Sequence, residues 1–351
     1  MSKNKKVLIT GVTGQDGSHM ADYLIENTDH IVVGGIRRLS VDNHGNIGHL
    51  KNHDRFSLVD LDITDPQNIE RVIASEKPDY FINLAANSFV GCSWDMATNH
   101  MQTNCMAVLH QLESIRRHVP HCRYYNAGSS EEFGDVQTVP QSESHPLRPR
   151  SPYGASKCSA RHLVKVYRDS YDLYAVQGWL FNHEGVRRGE EFVTRKITKN
   201  VARILAQYEI GKVIVPMQLG NLDAKRDWSD AEDFVSGVWR MLNQPRDKPK
   251  DYVLSSNETH TIREFVEEAF NFVGFHRNAC EWVGEGLEEK YMHGRDCFVE
   301  INSDFYRPAE VDLLLGDSTK ARDELGWQPK TTFIQLIKKM VDKDVASAIT
   351  W

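Results

Sequence analysis

Through the first half of the chain, short apolar runs alternate with segments whose apolar positions recur every three or four residues. The runs are Lys6–Thr10, Ile31–Ile36 (IVVGGI), 56–59, 80–84 (YFINL), 123–126 and 175–181. The helical period runs through Met20, Tyr23, Leu24 and Ile25, then through residues 68–74 and 108–115. Strands this short and uniformly apolar have no solvated face, so the pattern predicts a parallel, doubly wound α/β sheet covered by helices on both sides. Past about residue 180 the pattern is mixed. Helical stretches near 196–208, 231–242, 261–273 and 332–343 are separated by loops rich in Gly, Asp, Arg and Pro. We expect a cofactor domain over 1–180 and a smaller C-terminal α/β substrate-binding lobe over 181–351, with some segments of the second half returning to the first.

Composition narrows the partners. The chain has 351 residues, 40% hydrophobic and 26% charged, which suits folded domains rather than disorder. With 42 basic and 49 acidic residues the net charge is −7, and aromatics are not interleaved with basic residues; neither feature suits a nucleic-acid or membrane-surface protein. The polar start at 1–6 lacks the core of a signal peptide, and no run is long enough for a membrane span. Six scattered cysteines without a C-x-x-C pair read as free thiols of a reducing, cytoplasmic compartment. Neither His44, His49 and His53 nor His118, His121 and Cys122 have metal-ligand spacing, so no metal is expected.

Gly11, Gly14 and Gly17, with Thr13, Gln15 and Asp16 between them, follow a strand and open a helix. Glycines there let the backbone turn tightly against a pyrophosphate seated on the helix N-terminus, which makes the sheet Rossmann-type. At the end of the second strand, where an NAD site wants a carboxylate, stand Arg37 and Arg38. Arginine suits a 2′-phosphate, so the expected cofactor is NADP. The three-residue glycine spacing resembles the extended short-chain dehydrogenase/reductase superfamily. That resemblance adds Asp62 and Ile63 beside the adenine, and Leu84, Ala85, Ala86 and Ser88 along the cofactor's middle.

Tyr153 and Lys157 form Y-x-x-x-K, which on a helix puts phenol and ammonium on one face. A cation beside a phenol favours phenolate, so tyrosine can serve as a base. On spacing alone such a pair is more often a helix surface; the Pro-Arg-Ser-Pro run before it and the glycine turn upstream favour chemistry. Ser129 follows a strand and supplies a hydroxyl. Glu131, two residues on, is more than a dehydrogenase or epimerase needs, whereas a dehydratase needs a carboxylate to move protons at the sugar ring. Otherwise Glu131 is an ordinary helix-start residue.

The chain then resembles the GDP-mannose 4,6-dehydratase family over nearly its whole length. The resemblance rests on residues 11–17, 37–38, 83–86, 129–131 and 149–153, and more specifically on LFNHE (180–184), RRG (187–189), FVTRKI (192–197), GNLDAKRDW (220–228) and YRPAEVD (306–312). It implies that Ser129, Glu131, Tyr153 and Lys157 are catalytic, and that Lys157, His183 and Arg188 meet NADP. It implies that Ser88, Glu131, Tyr153, Asn182, Val193, Lys196, Leu219, Arg226, Arg307 and Glu310 meet the nucleotide sugar. The implied reaction oxidises C4 with Tyr153 as base, takes the C5 proton with Glu131, expels the C6 hydroxyl as water and yields a GDP-4-keto-6-deoxy sugar. The family carries an apolar residue at 132, so Glu132 has the better claim to being a surface helix-start residue. Asn87 stands where the family has glutamine, Asn99 where it has tyrosine, and Gly185-Val186 where it has Ser-Pro. Another GDP-sugar, such as a GDP-heptose, stays open as substrate. A 4-epimerase or a non-catalytic NADP-sensing module would need no Glu131. The resemblance also implies a homodimer or homotetramer in which the 37–50 loop, poor in apolar residues, reaches a neighbour.

Overall fold

The computed structural model describes residues 4–305 and 313–348. The first half alternates as β1 (Lys6–Thr10), α1 (Gln15–Asn27), β2 (Ile31–Ile36), β3 (Phe56–Asp60), α2 (Pro66–Glu76), β4 (Tyr80–Asn83), α3 (Ala97–Met101), α4 (Ala107–His118), β5 (Arg123–Ala127), α5 (Pro152–Tyr171) and β6 (Ala175–Leu180). Local chemistry sets the helix starts. Asp65 accepts from the amides of Gln67 and Asn68 ahead of α2, Ser151 accepts from Gly154 ahead of α5, and each helix begins with proline. The second half continues as β7 (Asn182–Glu184), α6 (Val193–Glu209), β8 (Met217–Leu219), β9 (Lys225–Arg226), β10 (Trp228–Asp230), α7 (Ala231–Leu242), β11 (Val253–Leu254), β12 (His260–Thr261), α8 (Ile262–Phe272), β13 (Cys280–Val283), β14 (Lys290–His293), β15 (Asp296–Ile301), α9 (Thr319–Leu325) and α10 (Phe333–Ala348).

Seven strands form one sheet in the order β11-β6-β5-β4-β1-β2-β3, and every neighbouring pair is parallel. This is the doubly wound α/β sheet the pattern predicts. The order reverses between β1 and β4, which opens a crevice at the carboxyl ends of the strands. The apolar runs contain no sign of β11. It is two residues long and exists because Val253 and Leu254 pair with Trp179 and Leu180 of β6. Helix α7 returns with it: Phe234, Val235, Val238, Met241 and Leu242 share one core with Met20, Ala21 and Leu24 of α1. The rest of the second half is a lobe with its own core. There α6, α8 and α10 pack Ile197, Val201, Phe265, Phe270 and Leu336 against Phe298 and Val299 of a four-stranded sheet, β13-β14-β15-β8. Among the described residues no helix is long and apolar enough to cross a membrane.

One row of polar side chains across the central strands breaks the apolar pattern. Thr10, Asn83, Asn126 and Gln177 are in register across β1, β4, β5 and β6, and all are 3% exposed or less. The Thr10 hydroxyl donates to Asn83 (2.7 Å), Asn83 to Asn126 (2.8 Å) and Asn126 to Gln177 (2.6 Å). Thr10 Oγ1 also accepts the amides of Leu84 and Ala85 (3.2 and 3.1 Å). In the 37–50 loop, Ile47 and Leu50 are buried in the main core and the side-chain amides of Asn43 and Asn46 donate to Thr13, while residues 37–43 are exposed.

Candidate active site

The glycine turn between β1 and α1 is shaped by close backbone approach. Gly11 has φ +69°, and a Cβ there would lie 2.8 Å from the amide nitrogen of Ala85; a Cβ on Gly17 would lie 2.2 Å from the carbonyl oxygen of Gly11. Gly14 caps α1 without a side-chain hydrogen bond, so the first amides of the helix face the turn. Gln15 is buried, donates to Asp16 and to the carbonyl of His183 (3.0 Å each), and keeps its own Oε1 buried without a partner. A main-chain cradle that excludes any Cβ and an uncapped helix start fit a dinucleotide pyrophosphate.

The cleft above this turn is lined by Asp16, Leu84, Ala86, Ser88, Ser129, Glu131, Tyr153, Lys157, Asn182, His183, Arg188 and Arg226. Residues attributed to catalysis, cofactor and sugar thus meet in one place. Tyr153 stands in the first turn of α5 and Lys157 one turn on; they are 7% and 4% exposed. Lys157 Nζ donates to the carbonyl of Ala127 (2.8 Å) and lies 5.9 Å from the centre of the Tyr153 ring. Burial pushes the Lys157 ammonium down to about 8, against the pull of Glu132 and Asp16. Burial pushes the Tyr153 phenol up to about 12, while a hydrogen bond with Ser129 draws it back. Ser129 begins the 3-10 turn 130–132 that carries Glu131, and its hydroxyl accepts the Glu131 amide (3.2 Å).

On the opposite side, His183 Nε2 lies 2.8 Å from Asp16 Oδ2, and Nδ1 lies 2.7 Å from the carbonyl oxygen of Phe181. Both partners can only accept, so both ring nitrogens donate and the ring is an imidazolium. Burial alone would lower the His183 pKa and raise that of Asp16. The pair reverses both: His183 is raised, and Asp16 is held well below the carboxylate range with help from Gln15 and Arg188. Arg188 forms an ion pair with Glu184 (Nε–Oε2 3.0 Å), and its guanidinium carbon lies 3.5 Å from the ring centre of Phe192.

Among the described residues, Arg37, Arg38, Asp62, Ile63, Val193, Lys196 and Leu219 are not part of the lining of this cleft. Arg37 and Arg38 are exposed just past β2. Asp62 follows β3 with its carboxylate accepting from Thr64, and Ile63 is buried beside it. Lys196, on α6, has Nζ 3.3 Å from the ring centre of Phe305. Arg226 is buried and donates to the carbonyl of Lys225 (2.9 Å). Val193 packs against the lobe core and Leu219 is buried in it. Arg307 and Glu310 lie outside the described residues.

A family model described as GDP-mannose 4,6 dehydratase matches residues 8–340. Over 98% of its length the chain is 42% identical to a GDP-mannose 4,6 dehydratase of Drosophila melanogaster, covering 87% of that protein. It is also 42% identical to the GDP-mannose 4,6-dehydratase of Sinorhizobium fredii, covering 99% of this chain and 98% of that one. The chain belongs to the GDP-mannose 4,6-dehydratase family. Solved structures at 21% identity share its fold. The dTDP-glucose 4,6-dehydratase of Bacillus anthracis in complex with NAD has a TM-score of 0.79, covering 99% of this chain and 98% of that one. The UDP-glucose 4-epimerase of Thermotoga maritima with UDP-glucose has a TM-score of 0.78, covering 97% and 99%.

Within the GDP-mannose 4,6-dehydratase family, two of this chain's departures touch. Asn87 donates its side-chain amide to Asn99. Asn104, in the π turn Gln102–Met106, accepts the Asn87 amide (2.9 Å) and donates to its carbonyl (3.0 Å). A third departure, Gly185, faces the orphaned Gln15 Oε1, which a Cβ there would approach to 3.7 Å. Glu132 corrects the expectation of a surface residue. It does close the turn, accepting the Ser129 amide (2.9 Å), but it is fully buried and paired with Arg161. Phe89, Val90 and Phe192 also line the cleft and were not foreseen. Phe89 and Val90 carry no motif and only their neighbourhood to Ser88 hinted at them, whereas Phe192 opens the FVTRKI segment without a role having been attached to it.

Proposed function

We propose that the protein is an NADP-dependent GDP-mannose 4,6-dehydratase, converting GDP-mannose to GDP-4-keto-6-deoxymannose and water. The observation that carries this is Glu131 in the same cleft wall as Ser129, Tyr153 and Lys157. NADP, held by the glycine turn with Arg37 and Arg38 toward the 2′-phosphate, supplies when bound a hydride acceptor for C4 and a donor for C6. Tyr153 takes the O4 proton. At a phenol pushed up by burial this needs support, which the Lys157 ammonium and the Ser129 hydroxyl give. Ser129 holds the O4 oxygen as its charge changes. The resulting 4-ketone acidifies C5–H; Glu131 takes that proton and delivers it to the departing C6 hydroxyl, which leaves as water, and when C6 receives hydride C5 takes up the proton that Tyr153 removed from O4, so both side chains return to their starting states. His183 stays charged against Asp16 and orients the wall facing Tyr153. Lys196, Arg226 and Arg307 oppose the charge of the GDP diphosphate in an otherwise acidic protein, with Asn182 and Glu310 on the sugar and ribose. Ser88, Val193 and Leu219 complete that side. We further infer a cytoplasmic homodimer or homotetramer, with a cofactor domain of about residues 1–180 and a substrate lobe of 181–351 that sends α7 and β11 back to the sheet.

The test is incubation of the protein with a panel of GDP- and other NDP-sugars, read by mass. Loss of one water from GDP-mannose is the expected result. Loss from another GDP-sugar alone, such as a GDP-heptose, moves the substrate and keeps the chemistry. An isobaric product makes the protein an epimerase, and no product from any sugar leaves a binding module.

A further inference from the structure

Glu132 and Glu131 are neighbours in a two-glutamate turn, but Glu132 is unavailable to a substrate. Its Oε1 accepts from the Ser129 amide (2.9 Å), Gln177 Nε2 (3.1 Å) and Arg161 Nη2 (3.3 Å), and its Oε2 accepts from Arg161 Nε (2.5 Å). It is fully buried. Arg161 is equally committed. It donates to the carbonyls of Gln177 (2.8 Å) and Gly178 (3.1 Å), its guanidinium lies 3.4 Å from the ring centre of Trp179, and Asp251 is 3.7 Å away. Arg161 stands one helical turn past Lys157 on α5. Gln177 ends the buried row that begins at Thr10, and its Nε2 also donates to the carbonyl of Lys157 (3.2 Å).

We propose that Glu132 and Arg161 are positioning residues. They clamp the turn bearing Ser129 and Glu131 to the helix bearing Tyr153 and Lys157, and they join both to the glycine turn through the Gln177–Asn126–Asn83–Thr10 row. The two catalytic halves come from segments more than twenty residues apart in sequence, and the reaction asks them to act on adjacent atoms of one sugar. A displacement of about 1 Å between such groups can cost on the order of 100-fold in rate. Removing only one partner would leave a buried charge unpaired, which is destabilising for reasons unrelated to catalysis. The informative variant therefore removes both charges. This inference rests on the dehydratase reading only for its kinetic arm.

Glu132→Leu/Arg161→Met replaces the ion pair by apolar side chains of similar length and frees the Ser129 amide. The expected protein binds NADP and GDP with the parent's affinity by calorimetry, holds KM for GDP-mannose within about threefold, and loses kcat by about 10- to 100-fold. Exchange of the Ser129 amide with solvent, read by NMR or mass spectrometry, accelerates at least about tenfold, while the amides of β5 and β6 keep their protection. If the double variant does not fold, Arg161→Lys takes its place: it keeps a cation against Glu132 and the Ser129 amide bond but loses the guanidinium fork to the carbonyls of Gln177 and Gly178, so it should show a smaller kcat loss with unchanged Ser129 exchange, and parent kcat in it overturns the clamp. Parent kcat together with parent exchange at Ser129 in the folded double variant overturns the clamp. Faster exchange in a protein whose parent form releases no water from any sugar supports the clamp and overturns the dehydratase reading instead.

Discussion

On the sheet side of the cleft, the groups proposed to do chemistry are pinned by the sheet and its buried polar groups: Lys157 on the Ala127 carbonyl, and Ser129 on Glu132, which is itself held by Arg161 and Gln177. On the lobe side, Lys196 rests on the ring of Phe305, next to residues 306–312, and Arg226 bonds the carbonyl of its own strand. The difference teaches a division of labour. Bond-making groups need fixed mutual distances, which a sheet with a hydrogen-bonded polar row maintains. Groups that grip a charged, many-jointed ligand can be assembled around it by short strands and loops.

If that division holds, the largest effects belong to the sheet side and should appear in kcat. Tyr153→Phe and Glu131→Gln should each slow turnover of GDP-mannose by on the order of 10²- to 10⁴-fold, with KM little changed. They should part at the first step. Glu131→Gln should still oxidise C4, leaving a 4-keto hexose that borodeuteride traps with the C6 hydroxyl intact; Tyr153→Phe should yield no keto sugar. If Glu131→Gln turns over at the parent rate, the carboxylate does not carry the proton and the epimerase reading regains ground.

Next in size comes the lobe. Lys196→Met keeps the stem and removes the charge, so KM for GDP-mannose should rise by about 10- to 100-fold, the worth of one charge-assisted hydrogen bond of about 1.5–3 kcal/mol, while kcat holds. A loss in kcat instead would erase the contrast between the two walls. Smaller again, because Arg37 and Arg38 are exposed and salt screens them, Arg37→Ala/Arg38→Ala should weaken NADP more than NAD. Equal weakening of both dinucleotides, measured by titration, would show that neither arginine reads the 2′ position.

The smallest effect is on stability. Asp16 has its pKa depressed in the fold, so its contribution is present above the unfolded value near 3.9 and is lost as pH falls through the depressed one. His183 has its pKa raised, so its contribution is complete below about 6.5 and is lost as pH rises through the raised value. Urea unfolding should therefore show a pH plateau with a shoulder on each side, and Asp16→Asn should flatten the difference. A parallel pH profile for parent and variant would mean that the pair is not linked to folding.

Much of the sheet could be read from the chain because each of its first six strands is an apolar run ended by a turn. The in-register polar row was also written there, as one Thr, Asn or Gln in each central run, yet it had no meaning until β1, β4, β5 and β6 were laid side by side. Val253 and Leu254 could not be read as a strand, since only pairing with β6 makes them one. The antiparallel part of the lobe was illegible for a similar reason: β13 and β14 alternate buried and exposed positions weakly and are stabilised by α8. In the site, motif residues fell where spacing put them. Glu132 did not, because its burial depends on Arg161 and Gln177, 29 and 45 positions away, and a charged residue without its partner in view looks like surface.

The late strand β11 has a consequence in time. The ribosome releases β6 long before β11, and with α7 also unmade, the edge of the sheet at Trp179 and Leu180 and the faces of α1 that meet Phe234 and Val238 stay open during that interval. An unpaired parallel edge invites the wrong strand. The nascent chain must therefore hold an unfinished sheet while the intervening lobe segments emerge, and native closure arrives only with Leu254. A chain stalled shortly before that residue should be a client for chaperones, and one stalled well beyond it should resist protease along the whole sheet.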